Sequence, residues 1–274
     1  MRKVVLVLLG LLLVGCALAL HAFGEARRDP VVRHATVRLP RWPAGARPVR
    51  AVLISDVHIG NWVTDAARLE RIVGQVNALH PDIVLIAGDF IAGHSAREAI
   101  PARAALIGPL SRLRAPLGVV AVLGNHDWWT DPRPLRAALA RANVTLLENR
   151  AIARGPLAIG GIGDATTRHA RPREVIAAVR RLPGAPVLMT HSPDIRSPLL
   201  VGAPLLLAGH THCGQVVLPL FGPVALRAPL LRQRVCGLHR EPGLGVVVTG
   251  GLGTSVLPFR LNAPPDLWLL TLGP

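Results

Sequence analysis

The sequence predicts an α/β fold, built as one domain behind a single apolar N-terminal helix, and three observations carry that reading. Five apolar, β-rich runs (51–55, 83–88, 119–124, 186–190 and 204–209) recur along the chain with helical patterns between them. Each run is followed at once by a short motif of Asp, Asn or His, and strand C-termini in an open α/β sheet face one crevice. The 274 residues, half of them hydrophobic, suffice for one large core, and no internal repeat or low-complexity tract divides them.

In order, Arg2 and Lys3 precede an uncharged apolar run over residues 4–20, extended by Ala22 and Phe23. That is close to the ~20 residues a spanning helix needs. Three readings of it stay open: a retained membrane anchor, a lipoprotein signal ending at Leu13-Val14-Gly15-Cys16, and a secretory signal cleaved at Ala17-Leu18-Ala19. The anchor leads, because the run continues past any obvious cleavage site. Residues 1–23 are therefore assigned to an anchor or signal, 24–48 to a basic linker and 49–274 to the domain. Arg27, Arg28 and Arg33 follow the run, offset by Glu25 and Asp29, so the positive-inside bias nearly cancels and leaves the membrane side open. A helix is expected over 64–79, with Thr64 or Asp65 as cap and Leu69, Ile72, Val73 and Val76 as its apolar face. Asp131-Pro132 opens another, with Pro in the tolerated first turn. Residues 152–162 read as a hairpin turning at Gly155-Pro156, and beyond Thr190 the chain becomes Gly- and Pro-rich with short strands.

The motifs are Asp56-Val57-His58, Gly88-Asp89, Gly124-Asn125-His126-Asp127, Thr190-His191 and Gly209-His210-Thr211-His212. Alone, Gly-Asp is turn chemistry and Asp-x-His a cap beside a surface His. Two His two residues apart at a strand end pack poorly in a core, and five such motifs at strand ends point to one site. Asp56, Asp89 and Asn125 would offer oxygen there, and His58, His191, His210 and His212 nitrogen. That mixture suits Mn, Fe, Zn or Co rather than Ca or Mg alone. Seven groups are too many for one tetrahedral zinc but suit two ions sharing a carboxylate.

In order and spacing these motifs resemble the calcineurin-like metallophosphoesterases over about residues 51–270. The resemblance implies a four-layer sandwich of two mixed β-sheets flanked by helices. It also implies Asp56, His58 and His212 around one divalent ion and Asn125, His191 and His210 around a second. Asp89 would bridge the two, with His126 as the catalytic imidazole that binds neither. The tail Gly253-Thr254-Ser255-Val256-Leu257-Pro258-Phe259-Arg260, then Pro264-Pro265-Asp266, resembles small membrane-anchored or exported bacterial phosphodiesterases, as does Gly209-His210-Thr211-His212-Cys213-Gly214-Gln215. Trp128 and Arg260 are candidate substrate contacts. Protein phosphatases of this superfamily carry a second Asp three residues after the bridging one and an Arg soon after. Ala92 and Gly93-His94 stand at those places, which argues against a protein Ser/Thr phosphatase and leaves nothing in the motif to orient His126.

The expected activity is hydrolysis of a phosphodiester or pyrophosphate at a bacterial cell membrane, on a substrate such as UDP-2,3-diacylglucosamine, the lipid A precursor. Two alternatives remain: an exported phosphodiesterase acting on envelope polymers or nucleotides, and a membrane-anchored binding protein with a structural metal site. Trp128 and Trp129 read as core packing or as an apolar lip for a lipid or sugar. The net charge of +15 comes almost entirely from scattered Arg, with no dense run and no aromatic interleaving. Beside a membrane segment it reads as attraction to anionic lipid headgroups, ~1 kcal/mol per residue near the surface, rather than as a nucleic-acid surface. Cys16, Cys213 and Cys236 show no disulfide framework, and Cys213 reads as buried and structural.

Overall fold

Alternation of apolar side chains along the strands decides the architecture. The computed structural model describes residues 2–97, 99–224 and 232–274. Its first half holds α1 (Arg2–Arg27), β1 (Val31–Arg38), β2 (Val49–Ile54), α2 (Ala66–Ala78), β3 (Ile83–Ala87), α3 (Ala99–Ser111), β4 (Val119–Val122), α4 (Asn125–Trp129), α5 (Pro132–Arg141) and β5 (Val144–Leu146). The second half holds β6 (Arg150–Arg154), β7 (Leu157–Gly161), α6 (Pro172–Arg180), β8 (Ala185–Met189), β9 (Leu205–Ala208), β10 (Val217–Leu218), β11 (Gly222–Pro223), β12 (Gly237–Glu241), β13 (Leu244–Val248) and β14 (Asp266–Gly273).

One sheet runs β1-β14-β2-β3-β4-β5, parallel from β2 to β5, with β14 antiparallel to β2 and parallel to β1. The other runs β12-β13-β9-β8-β7-β6, parallel inside and antiparallel at both edges. Val52, Ile54, Val84 and Ile86 pack against Leu69 and Ile72 of α2, Leu106 of α3 and Leu135 of α5. The alternate residues Leu53, Leu85, Val120 and Val122 pack against Ile159, Val187, Leu205 and Val247 of the second sheet. That sheet's far face, with Leu188, Leu206 and Val246, packs on Val175, Ile176 and Val179 of α6. Three buried interfaces make four layers, helix, sheet, sheet, helix, with both sheets mixed.

Local chemistry explains the element boundaries. Asp65 caps α2 by accepting the Arg68 N–H at 2.7 Å, and Asp131 and Pro132 start α5. The β6–β7 hairpin turns at Gly155, where φ is +54°. Much of residues 24–48, expected as a linker, lies in regular elements. The helix continues to Arg27, and β1 pairs with β14 from Val31↔Asp266 to Arg38↔Gly273. The alternation in β1 is masked by its Arg and His, although Ala35 and Val37 reach the inter-sheet core. α1 is long and apolar enough to cross a membrane, with mean hydropathy 2.7 over its most apolar 18 residues. Its last turns belong to the domain. Ala26 is buried, the Ala22 carbonyl accepts the Arg260 N–H at 2.9 Å, and the Arg68 guanidinium donates to the carbonyls of Ala26, Arg27 and Arg28.

Candidate metal centre

The parallel strands β2, β3, β4, β8 and β9 all end at one edge, and the loops leaving them bring the expected residues together. Asp56 and His58 follow β2, Asp89 follows β3, Asn125 and His126 open α4 after β4, His191 follows β8, and His210 and His212 follow β9. Five of these have left-handed backbone: Asp56 (φ +51°), His58 (+46°), Asp89 (+54°), His210 (+71°) and His212 (+50°). That conformation costs roughly 1–2 kcal/mol per non-glycine residue, and strain of this kind concentrates at functional sites. The glycines of the motifs make room for it. A Cβ on Gly124 would collide with Asp89 Oδ1, and one on Gly209 with Ser55 and Asp56 Oδ2.

Two groups of ligand atoms meet around Asp89. Asp56 Oδ2 is occupied by the Ser55 hydroxyl and the His210 N–H, which leaves Oδ1 3.3 Å from His212 Nε2 and 3.8 Å from His58 Nε2. On the other side His191 donates Nδ1–H to the Ala87 carbonyl at 2.7 Å, so its Nε2 points inward, 3.2 Å from His210 Nδ1. Asp89 Oδ1 accepts the His126 N–H, while Oδ2 lies 3.1 Å from His191 Nε2 and 3.5 Å from His58 Nε2. One oxygen therefore stands between both groups.

Whether these residues fit metal ions can be judged from what they lack. Asp56 Oδ1, both nitrogens of His58 and Asn125 Oδ1 are buried without a hydrogen-bond partner. Buried polar atoms are almost always paired, so these are atoms in need of an electrophile. The inward atoms of Asp56, His58 and His212 lie close enough to hold one ion, as do those of Asp56, Asp89 and His191. The electrostatics agree. Burial holds His58 down at about 3, His210 at about 4 and His212 well below the usual imidazole range, so each offers a lone pair at neutral pH. Burial pushes Asp56 up to about 6, against the pull of the His191 charge. Burial also disfavours the charged forms of Asp89 and His191, yet their mutual attraction wins. It holds the Asp89 carboxyl well below its usual range and His191 well above its own.

Several neighbours have roles that the motifs do not show. His126 Nδ1 lies 2.8 Å from the Gly93 carbonyl, which can only accept. Nδ1 therefore bears the proton, and Nε2 faces the cleft, 3.4 Å from Ser255 Oγ. A backbone oxygen thus orients His126, where the motif offered no side chain to do so. Asp127 is fully buried and accepts the N–H groups of Gly124, Asp89, Phe90 and Ile91, so it clamps the Asp89 turn to α4. Burial and the Asp89 charge push its carboxyl up to about 8, against those donors. Asp164, after β7, is also buried with Oδ1 unpaired, and its charge acts on His191 and His210. A cleft of about 420 Å³ opens above the cluster, lined in part by His58, Trp62, His94, His126, Val256 and Leu257.

Three expectations are corrected. Arg260 is fully buried and donates to the carbonyls of Gly250, Gly251, Gly253, His212 and Ala263, so it pins the ligand loops and has no face for a substrate. Trp128 turns from the cleft and stacks on His169 at 3.5 Å, beneath Arg136. The aromatics at the cleft are instead Trp62, in its wall, and Trp129, edge-on to His126 at 4.8 Å. Cys213 is buried as expected, but it forms a disulfide with Cys236 beside His212.

Known proteins resemble the chain over most of its length. Residues 49–214 match the family model of the calcineurin-like phosphoesterases. The chain is 29% identical over 95% of its length to a transmembrane protein with metallophosphoesterase domain of Danio rerio, of which it covers 61%. It is 28% identical over 93% of its length to an uncharacterized metallophosphoesterase of Helicobacter pylori, of which it covers 67%. The chain thus spans only about three fifths to two thirds of these relatives. Among solved structures, a dimetal phosphatase from Danio rerio superposes with a TM-score of 0.48 at 15% identity, over 77% of this chain and 90% of that one. The matched segment carries every residue that converges on Asp89, and the chain belongs to the calcineurin-like phosphoesterase family.

Proposed function

We propose that this protein is a membrane-anchored hydrolase that cleaves a phosphodiester or pyrophosphate bond with the help of two divalent cations. The position of Asp89 Oδ2 between two groups of inward-facing ligand atoms carries the reading. Asp56, His58 and His212 suit one cation, Asn125, His191 and His210 the other, and Asp89 both. The mixed nitrogen and oxygen set fits Mn, Fe, Zn or Co. When bound, such a pair supplies Lewis acidity to the phosphoryl group and to the attacking water. The chain supplies the rest. Asp89 offsets the repulsion between like charges, and Asn125 contributes a neutral oxygen. His126, held through Nδ1 by Gly93, turns Nε2 toward the cleft, where its protonated form gives a proton to the leaving oxygen. The complete ligand set together with His126 supports an enzyme over a binding protein.

Asp89→Asn and Asn125→Ala are expected to lose metal and turnover of an artificial aryl phosphodiester together. His126→Ala is expected to keep its metal and lose rate by ~10²–10⁴-fold. Full activity in that variant would remove His126 from the mechanism.

The membrane side separates two substrates. UDP-2,3-diacylglucosamine, a nucleotide-lipid made inside the cell, requires the domain in the cytoplasm. The Cys213–Cys236 disulfide favours an oxidising compartment, and with it an exported enzyme, anchored in a bacterial cell membrane by α1, acting on an envelope phosphoester. The Danio rerio relative is named as a transmembrane protein, which supports the anchor itself.

A further inference from the structure

The cleft has a lip that the metal chemistry does not use. Trp62, Leu218, Leu220, Phe221, Val256 and Leu257 are all exposed, Trp62 by 80%, Phe221 by 84% and Val256 by 88%. Single exposed apolar side chains need no explanation, but six on three adjoining loops form a patch that asks for a partner.

The loops are tied to one another and to the end of α1. The Arg27 guanidinium donates to the Trp62 carbonyl at 2.6 Å, and the Arg260 N–H to the Ala22 carbonyl at 2.9 Å. Gln215 Nε2 donates to the carbonyls of Ser255 and Leu257 at 3.0 and 3.1 Å, and its Oε1 accepts the Ser255 N–H. The β10–β11 hairpin is fixed beside the same segment, with Val217 N–H on the Leu261 carbonyl and Asn262 Nδ2 on the Val217 carbonyl, both at 2.9 Å. The patch therefore borders the point where α1 leaves the domain. α1 is exposed from Val4 to Leu20, whereas Ala22 and Ala26 are buried against the domain. When α1 spans a bilayer, no spacer separates the lip from the headgroups.

We propose that this lip inserts into the interface of the membrane that α1 spans, so that the cleft opens at the bilayer surface and takes its phosphoester from an amphipathic lipid in that membrane. The insertion rests on α1 as a retained anchor, and the substrate class rests on the hydrolase reading above. Trp62 has the side chain that membrane interfaces favour, and amphipathic surfaces of this kind settle ~5–10 Å into the headgroup boundary. Trp62, Val256 and Leu257 also wall the cleft whose lining includes His58 and His126. A lipid can thus leave its acyl chains in the bilayer while its phosphate reaches the metal ligands.

The test uses the full chain carrying Cys16→Ser, with the Cys213–Cys236 pair intact, in phospholipid vesicles. An environment-sensitive fluorophore is placed on Phe221→Cys, on Val256→Cys, or on Arg240→Cys. Arg240 pairs with Gly245, at the end of the second sheet remote from the site. Labels at 221 and 256 are expected to shift to the blue and to be quenched by doxyl-bearing acyl chains, and the label at 240 to do neither. Labels at 221 and 256 as wet as the one at 240 would overturn the proposal. So would labels shielded from a water-soluble quencher yet untouched by doxyl lipid, since a second copy would then cover the lip. Leu220→Ser with Phe221→Ser, both outside the cleft, is expected to lower turnover of a long-chain phosphoester in vesicles by about tenfold and to leave a soluble aryl diester unaffected. Equal loss on both substrates would overturn it. Quenching by doxyl lipid without turnover of any vesicle lipid would establish the insertion and overturn only the lipid substrate.

Discussion

Asp89 and His191 hold one proton between them when no metal is bound. His191 Nδ1–H is committed to Ala87, so the exchangeable position is Nε2, which faces Asp89 Oδ2 and His210 Nδ1. The Asp89 charge favours a proton on that nitrogen, while burial disfavours one on His58, His210 and His212. The folded-state pKa of His191 is raised. Its ion pair therefore stabilises the metal-free protein fully below the ordinary His value, and the contribution is lost as pH rises through the raised one. Metal must displace this proton. Calorimetry of Zn(II) binding in buffers of different ionisation enthalpy is expected to show release of about one proton per chain at pH 7, with affinity falling as pH is lowered. A binding heat that does not depend on the buffer would contradict the assignment. The metal-ligand candidates and His126 were legible because residue types of this kind follow predicted strands. Gly93 was not, since it acts through a carbonyl that every residue possesses; Asp127 stood in its motif, but its grip on backbone N–H groups 36 to 38 positions away did not show.

At the scale of elements, the site is a set of strand-end turns held in unfavourable backbone conformations by their neighbours. Asp127 is the clamp for the Asp89 turn. Asp127→Ala would strand four N–H groups, each costing ~1–3 kcal/mol if left unpaired. The expected outcome is a clear fall in melting temperature together with ~10–100-fold weaker metal binding; unchanged metal affinity would show that the turn holds itself. The Cys213–Cys236 bond does the same for the His212 turn. Cys236→Ser is expected to cost ~2–4 kcal/mol of stability by unfolding measurements and to loosen metal retention. Helices α2 and α5 were legible from a capping Asp and an apolar stripe. β1 was not, because Arg33, His34 and Arg38 hide its period, and the disulfide was not, because Cys213 sits inside a metal motif.

Across the whole molecule, the four layers follow from strands whose alternate residues face different partners. The division into two mixed sheets followed from the family resemblance, whereas nothing in the sequence announced the burial of the end of α1. Removing residues 1–20 is expected to give a folded, metal-binding domain that stays in solution. Removing residues 1–27 also takes away the Ala22, Ala26 and Arg27 carbonyls held by Arg260 and Arg68. That domain should melt at a lower temperature, and equal melting of the two truncations would show that the docked turns contribute nothing. A topology reporter fused after Pro274 is expected to report from outside the cytoplasm, where the Cys213–Cys236 disulfide persists. A cytoplasmic signal would return UDP-2,3-diacylglucosamine to the lead.

The most direct test of the shared-carboxylate centre is stepwise reconstitution of the metal-free protein. Bound ions are counted by elemental analysis while turnover of an aryl phosphodiester is followed. Turnover should rise only as a second divalent ion binds, and Asp89→Asn should neither retain both ions nor turn over. Full turnover with a single ion per chain, or an active Asp89→Asn variant, would contradict the account.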